Sequence, residues 1–265
     1  MADEQFVMTC VYVLTGILGL CVGSFLNVVI YRVPLGMSLS KPSSHCPRCG
    51  YSLSWFDNVP LFSYLFLGGK CRKCKARISP RYVLVEIFNA LLWLLCAFLF
   101  WEKSIVYSIL CMVSLSTLIC IFFIDLEHML IFNRFTLLIF LSGLLTIFFD
   151  PSTKALDHVI GALAAGALFL AIYYLAIWVL GKEGLGFGDV KLSFAAGLLL
   201  GWQKMLLALL IASVTASILL IILRKKRGDD VDKEYPFGPF LAAGFAIALL
   251  CGDPVISYYL SLFSF

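Results

Sequence analysis

A succession of apolar stretches constrains this chain more than any other feature, because most exceed what the core of a water-soluble domain needs. They run roughly over residues 6–31, 82–101, 104–124, 131–149, 157–180, 189–201, 203–223 and 237–262. About twenty apolar residues cross a hydrocarbon layer of ~30 Å as a helix. With 62% hydrophobic and only 14% charged residues, and a mean hydropathy of +0.98, the composition excludes an ordinary soluble domain. The expected fold class is an all-α polytopic membrane protein with about eight transmembrane helices. The sixth stretch is short, and Gly252-Asp253-Pro254 is expected to break or end the last. Ser79 and Pro80 suit the start of the second as cap and first-turn residue. Residues Met1–Gln5 are slightly acidic and the first apolar run is too long for a signal peptide, so no cleavable leader is expected.

Charge placement orients these spans. If residues 32–81 face the cytosol and the sides alternate, 17 of the 20 lysines and arginines fall on cytosolic segments, and only Lys103, Lys154 and Lys204 fall opposite. Such a bias follows the positive-inside rule. It puts both termini outside, and the end of span three and the start of span six at the cytosolic face. The basic run Arg224–Arg227 reads as an anchor for anionic membrane lipids.

Residues 32–81 are long enough for a small ordered domain, and no internal repeat is apparent in the sequence. Within it Cys46-Pro-Arg-Cys49 and Cys71-Arg-Lys-Cys74 form two C-x-x-C knuckles. Thiolates two residues apart reach one cation from a tight turn, and two such turns complete a tetrahedral shell. A cytosolic location disfavours disulfides. The reading is a structural zinc, with an unmetallated or redox-active quartet as the alternative. A shell of four cysteines leaves no open position for catalysis. His45 reads as a bystander. The loop's basic residues with Tyr51, Trp55, Phe56 and Tyr64 have the composition of a nucleic-acid surface. Anionic headgroups explain it more simply, so no nucleic-acid partner is expected. The other six cysteines are scattered through apolar spans as small hydrophobes.

Two aspartates stand at the ends of apolar spans: Asp125 in Phe123-Ile124-Asp125-Leu126-Glu127, and Asp189 in Gly184-Leu-Gly186-Phe-Gly188-Asp189-Val-Lys191. Ionisable groups at membrane depth are costly and mark function by default. The glycines Gly186 and Gly188 are expected to interrupt a membrane helix and to permit close approach of backbone or substrate. Helix capping is the alternative role for Asp189. It does not explain Asp125, which faces the negative end of a helix dipole. Two carboxyls brought together share one proton, so that one serves as general base toward water while the other polarises a carbonyl. Glu127 and Glu183, with Lys191, are candidate substrate contacts; solvated interface residues are the alternative for the two glutamates.

These residues resemble the bacterial type IV prepilin leader peptidases, membrane aspartic proteases with a Gly-x-Gly-Asp signature. The likeness runs in order along nearly the whole chain. It starts with Gly23-Ser-Phe-Leu-Asn27-Val-Val-Ile-Tyr31-Arg32, Cys46-Pro-Arg-Cys49 and Asp57-Asn58-Val59-Pro60. It continues through Ser63-Tyr64, Gly69-Lys-Cys71-Arg-Lys-Cys74 and Ile78-Ser-Pro-Arg-Tyr82 with Glu86. Last come the Gly186/Gly188/Asp189 motif and Pro236-Phe-Gly238-Pro-Phe240. One departure stands out: where the family usually reads Ile-Pro-Asp or Ile-Pro-Asn, this chain has Ile131-Phe132-Asn133, without the proline turn.

The resemblance implies that Asp125 and Asp189 are the catalytic pair. It implies cleavage of a basic leader from prepilins or pseudopilins after a glycine, at the cytosolic face of the bacterial inner membrane. It further implies N-methylation of the new N-terminus with S-adenosylmethionine, an activity generally found in members that carry the four-cysteine loop. No glycine-rich fingerprint for that methyl donor is visible. The expected organisation is a first transmembrane helix at 1–31, the zinc-binding loop domain at 32–81 with a methyltransferase part, and a peptidase core at 82–265. The rival readings are a proton-coupled transporter with the aspartates as a relay, and a non-enzymatic zinc-bearing scaffold.

Overall fold

The computed structural model describes residues 2–181, 184–227 and 235–263. Two compact units divide between Leu99 and Phe100. The first holds α1 (Ala2–Arg32), a 3-10 turn (Trp55–Asn58), α2 (Phe62–Phe66) and α3 (Arg81–Phe100). At a rise of 1.5 Å per residue α1 is about 46 Å long, longer than the hydrocarbon layer is thick. It lies against α3 at backbone distance. A methyl group on Gly19 would sit 2.8 Å from the Ala90 Cα, and one on Gly23 would sit 2.7 Å from the Glu86 Cα. Small residues are what membrane helices use for such approach, with side-chain amides bonding across the seam. Asn89 Nδ2 donates to the Gly19 carbonyl at 2.8 Å, and Asn27 Nδ2 to the Tyr82 carbonyl at 2.9 Å. At the start of α3 the Ser79 hydroxyl accepts the Arg81 N–H at 3.3 Å, as its position in the sequence suggests.

The second unit holds α4 (Ile105–His128), α5 (Asn133–Phe149), α6 (Ala155–Leu180), α7 (Phe187–Arg227) and α8 (Gly238–Ser261). α4 is the most enclosed; it packs on α5 and α8, while α7 packs on α5, α6 and α8. The tightest seam joins α6 to α7, where a methyl on Gly161 would lie 2.6 Å from the Gly197 carbonyl oxygen. Six helices of the two units are long and apolar enough to cross a membrane, so this is a multi-pass membrane protein. The fourth apolar stretch forms the shorter helix α5 of 17 residues.

The sixth and seventh stretches are two helical segments, as expected, and they follow end to end within α7. Gly201 takes φ 77°, ψ 165°, a conformation essentially restricted to glycine, and divides α7 into residues 187–200 and a second half beginning at Trp202. The first half has 14 residues, about 21 Å, and is too short to cross alone. By contrast, the last helix does not stop at Gly252-Asp253-Pro254. α8 continues through Pro254 to Ser261. The proline removes the bond to the Leu250 carbonyl only, and the flanking turns carry the helix on.

The break in α7 needs compensation, and a buried polar cluster supplies it. The interruption deprives the Leu198 carbonyl of its N–H four residues on. The His158 ring accordingly donates from Nδ1 to that oxygen at 2.9 Å, which fixes the tautomer. Trp202 Nε1 donates to Asp157 at 3.0 Å. Lys204, only 3% exposed, donates to Ser152 Oγ at 3.2 Å and pairs with Asp253 at 2.9 Å and Asp150 at 3.8 Å. Buried charges persist when paired, and removing one partner strands the others. Lys204→Met should therefore destabilise the protein by about 3 kcal/mol, the low end of the buried range because Asp253 is partly exposed. Thermal unfolding in detergent measures this.

Candidate active site and metal centre

Asp125 projects from the last turn of α4, whose end is set by Met129. That residue adopts a left-handed conformation (φ 53°, ψ 40°) and returns its N–H to the Asp125 carbonyl at 2.9 Å. Asp189 projects from the first turn of α7, its backbone N–H bonded to the Gly186 carbonyl at 3.0 Å. Both side chains are nearly out of solvent contact, at 5% and 7% exposure. They are close enough that the charge on Asp125 acts on Asp189. The structure thus brings together the two carboxylates singled out in the sequence.

Each carboxylate meets glycine backbone. Asp125 accepts the N–H of Gly238, the first residue of α8, so the positive end of that helix faces it. A methyl on Gly238 would lie 2.5 Å from Asp125 Oδ2. Asp189 accepts the Gly186 N–H, and a methyl on Gly186 would sit 3.3 Å from its Oδ2. Asp189 Oδ1 is buried without a hydrogen-bond partner among the described residues. Gly188 lies inside the first turn of α7 and does not interrupt the helix. Its role is proximity, since a methyl there would lie 2.9 Å from Ile131 Cβ. Gly238 is a site residue the aspartate motifs do not reveal. Its only sequence signal is the Pro236-Phe-Gly238-Pro run at the start of the last span.

The four-residue connection from α4 to α5 is held to α7 at a second point. Lys191 Nζ donates to Asn133 Oδ1 at 3.0 Å and lies 5.0 Å from the centre of the Phe187 ring. Lys191, a candidate substrate contact, is thus engaged with the start of α5 and with its own helix. Glu127 is exposed on the last turn of α4, and Glu183 lies outside the described residues. The backbone at the position of the missing proline is one that a proline would fit. Phe132 has φ −77° and ψ 135°, values a proline adopts, and its N–H donates no backbone hydrogen bond among the described residues.

In the first unit the four sulfurs of Cys46, Cys49, Cys71 and Cys74 lie within 4.8 Å of one another. Two of the edges are 3.8 Å (Cys46 to Cys74) and 4.0 Å (Cys49 to Cys71). A tetrahedron of zinc–sulfur bonds near 2.3 Å has edges of about 3.8 Å, whereas a disulfide needs about 2.05 Å. The set can hold zinc, and His45 instead faces the Ser43 carbonyl at 3.1 Å.

The two knuckles form a repeat that residue identity conceals. Cys46 N–H bonds the Tyr51 carbonyl at 2.9 Å and Cys71 N–H the Ala76 carbonyl at 2.8 Å. Gly50 and Lys75 return N–H groups to Cys46 and Cys71 at 2.9 and 3.0 Å, and both take positive φ, 66° and 57°. Bridges His45–Ser52 and Lys70–Arg77 close the two turns alike. Backbone N–H groups of Cys49 and Arg48 lower the Cys46 thiol to about 6. Cys74 is raised to about 11: its Ala76 N–H lowers it, but burial and the neighbouring sulfurs outweigh that. Crowded sulfurs that cannot all ionise are what a dication relieves. Beneath them burial works against ionisation of Asp57. Arg72 at 2.7 Å, the Ser54 N–H and the Tyr51 hydroxyl nonetheless hold its carboxyl below the usual range.

Comparison with known proteins divides the chain much as the structure does. Residues 17–100 match the family described as the bacterial peptidase A24 N-terminal domain, and residues 112–221 match the type IV leader peptidase family. A prepilin leader peptidase/N-methyltransferase of Aeromonas salmonicida strain A449 is 37% identical over 268 residues, which cover 91% of each chain. One of Pseudomonas aeruginosa is 36% identical over 275 residues, 95% of this chain and 94% of its own. One of Dichelobacter nodosus is 36% identical over 268 residues, again 91% of each. No solved structure matches the chain.

Phe132→Pro should leave the site intact and raise stability by about 0.4–1 kcal/mol through the unfolded chain. A lowered midpoint of thermal unfolding would contradict that account of the α4–α5 turn.

Proposed function

The chain belongs to the type IV leader peptidase family, and from that premise we propose that it removes the leader from prepilins and N-methylates the new N-terminus. The observation that carries the peptidase half is the pair of buried carboxylates, Asp125 and Asp189, without a cation among the described residues that touch them. Two such groups in mutual electrostatic reach share one proton. The ionised member takes a proton from water, whose oxygen attacks the carbonyl carbon of the scissile peptide. The protonated member donates to the carbonyl oxygen. Collapse of the tetrahedral adduct breaks the carbon–nitrogen bond, and the proton taken from water goes to the leaving amine. The unpartnered Asp189 Oδ1 leaves an acceptor free for that water. A relay for transported protons is a poorer fit, since both carboxylates stand at helix ends.

In this reading the substrate is a prepilin or pseudopilin, with a hydrophobic helix for the bilayer and a basic leader for the aqueous side. The cut follows a glycine. The enzyme sits in the bacterial inner membrane with its dyad at the cytosolic face, a placement supported by the bias of lysine and arginine toward that side. Exposed Glu127 suits the basic leader, as does Glu183 from its sequence position, with Lys191 bordering the same opening. Residues 1–31 are the first transmembrane helix, the four-cysteine loop at 32–81 bears structural zinc and serves methyl transfer, and residues 82–265 form the peptidase core.

The test is mass spectrometry of a full-length prepilin incubated with the purified protein, with and without S-adenosylmethionine. Loss of the leader after a glycine, with one added methyl only when the donor is present, is expected. Asp125→Asn and Asp189→Asn should each lower the cleavage rate by about 10²–10⁴-fold, the share that positioned acid–base groups contribute. Normal cleavage by a correctly inserted Asp189→Asn protein would sink the mechanism. Gly238→Ala forces the Asp125 carboxylate from its place, and cleavage should fall about 10²-fold with membrane insertion unchanged.

A further inference from the structure

The loop between α1 and α3 folds back beside those helices, and one bond shows how far. The Leu61 N–H donates to Glu86 Oε2 at 2.8 Å. α3 runs 20 residues from Arg81, about 30 Å, so it needs its full length to cross the hydrocarbon layer. Glu86 is five residues in from that start, about 7.5 Å along the axis. Its carboxylate also accepts the Ser24 hydroxyl, which stands eight residues, or about 12 Å, before the end of α1. Leu61 itself takes φ 61° and ψ −53°, a conformation that costs a leucine energy and persists only where its surroundings fix it. The chain thus reaches past the ends of both helices, toward the hydrocarbon, before α2 begins.

What it exposes at that depth is apolar. The turn Trp55–Asn58 packs on α2, and together they leave Phe56, Phe62 and Leu65 exposed, with Trp55 81% and Phe66 87% exposed. Loops in water rarely leave such a patch bare. Leu84 and Phe88, on α3 to either side of Glu86, are exposed in the same way, as the lipid-facing residues of a span are. The backbone suits apolar surroundings. Ser63, Leu65 and Leu67 donate their N–H groups to carbonyls four residues back, and Gly69 donates to the Tyr64 carbonyl. Lys70, Lys73, Lys75 and Arg77 follow the patch and are exposed. Between Arg32 and Glu86 the sequence holds one acidic residue, Asp57, which Arg72 neutralises at 2.7 Å. The Arg72 guanidinium also lies 5.0 Å from the centre of the Phe56 ring, and so ties the apolar turn to the Cys71 knuckle.

We propose that residues 55–67 form an interfacial anchor, lying in the boundary between headgroups and acyl chains beside α1 and α3. The partner is the phospholipid leaflet itself. Trp55, Phe62, Leu65 and Phe66 enter its acyl region, while Lys70, Lys73, Lys75 and Arg77 meet anionic headgroups. Attraction of a basic loop to headgroups would need only the cations; the bare aromatic patch is what requires insertion. Through Arg72 the anchor fixes the height of the four-cysteine knuckles at the membrane surface. Neither enzymatic activity enters into it.

The test uses the full chain in vesicles of phosphatidylcholine and phosphatidylglycerol, with or without bromine on the acyl chains. The protein is kept dilute in lipid, so that a second copy does not cover the patch. The difference in tryptophan emission between the wild type and Trp55→Phe reports position 55, and that between Phe66→Trp and the wild type reports position 66. Both side chains are exposed, so neither change disturbs packing. Bromine should quench both signals by about twofold or more, as expected of groups ~5–10 Å into the boundary, and aqueous acrylamide should quench them little. Amide hydrogen exchange over residues 61–69 in the same vesicles is a second readout. The double variant Leu65→Asp, Phe66→Asp should speed it by about tenfold or more, because a five-residue helix is not stable in water without apolar support. A position-66 signal untouched by brominated lipid, or exchange unchanged in the double variant, would overturn the anchor and leave the patch open to water or to another protein.

Discussion

Two carboxylates kept out of water, with no cation touching them among the described residues, set the terms for the second unit. Such groups are held only where backbone dipoles and a shared proton replace the lost hydration. For Asp125 the replacement is the Gly238 N–H at the start of α8; for Asp189 it is the Gly186 N–H just ahead of α7. Those bonds require three helix ends to meet, and they can meet only where side chains are absent. Gly238 fits against Asp125 and Gly188 against Ile131 because neither carries a Cβ. The left-handed Met129 and the Lys191–Asn133 bond fix the intervening turn. Phe132 shows that this turn depends on a backbone angle and not on the proline that usually enforces it.

The same requirement reaches the far ends of α5 and α8. α6 and α7 approach at backbone distance at Gly161 and Gly197, and α7 is broken four residues further on, at Gly201. A break inside a membrane helix exposes carbonyls that lipid cannot satisfy. His158, Trp202 and Lys204 gather around it with Asp150, Asp157 and Asp253. Lys204 therefore has a structural task, although charge placement in the sequence marks it only as one of three basic residues on the less basic side.

The first unit uses a different economy. Its loop of some fifty residues has little apolar core of its own, and two matching knuckles around four sulfurs take the place of one. The repeat escapes inspection of the sequence because it lies in backbone pairings and in the sign of φ at Gly50 and Lys75, which differ in residue type. The same knuckles border a cavity that is also lined by Asn27 and Glu86, which belong to the helices and not to the loop.

The sequence by itself determined what local chemistry dictates. Hydropathy runs of bilayer length marked the helices, cysteines two residues apart marked a set that can hold a metal, and carboxylates at the ends of apolar spans marked the candidate catalytic pair. Each of these signals is written within a dozen or so neighbouring residues, where a residue's own solvation or spacing settles its role. Only the tertiary structure decided that Gly238 donates to Asp125 more than a hundred residues away, and that His158 repairs the carbonyl freed at the α7 break. It also decided that α8 runs through Pro254 and that Asn27 ties α1 to the Tyr82 carbonyl at the start of α3. These facts depend on which backbones touch, and close approach between distant glycines leaves no periodic pattern in the chain.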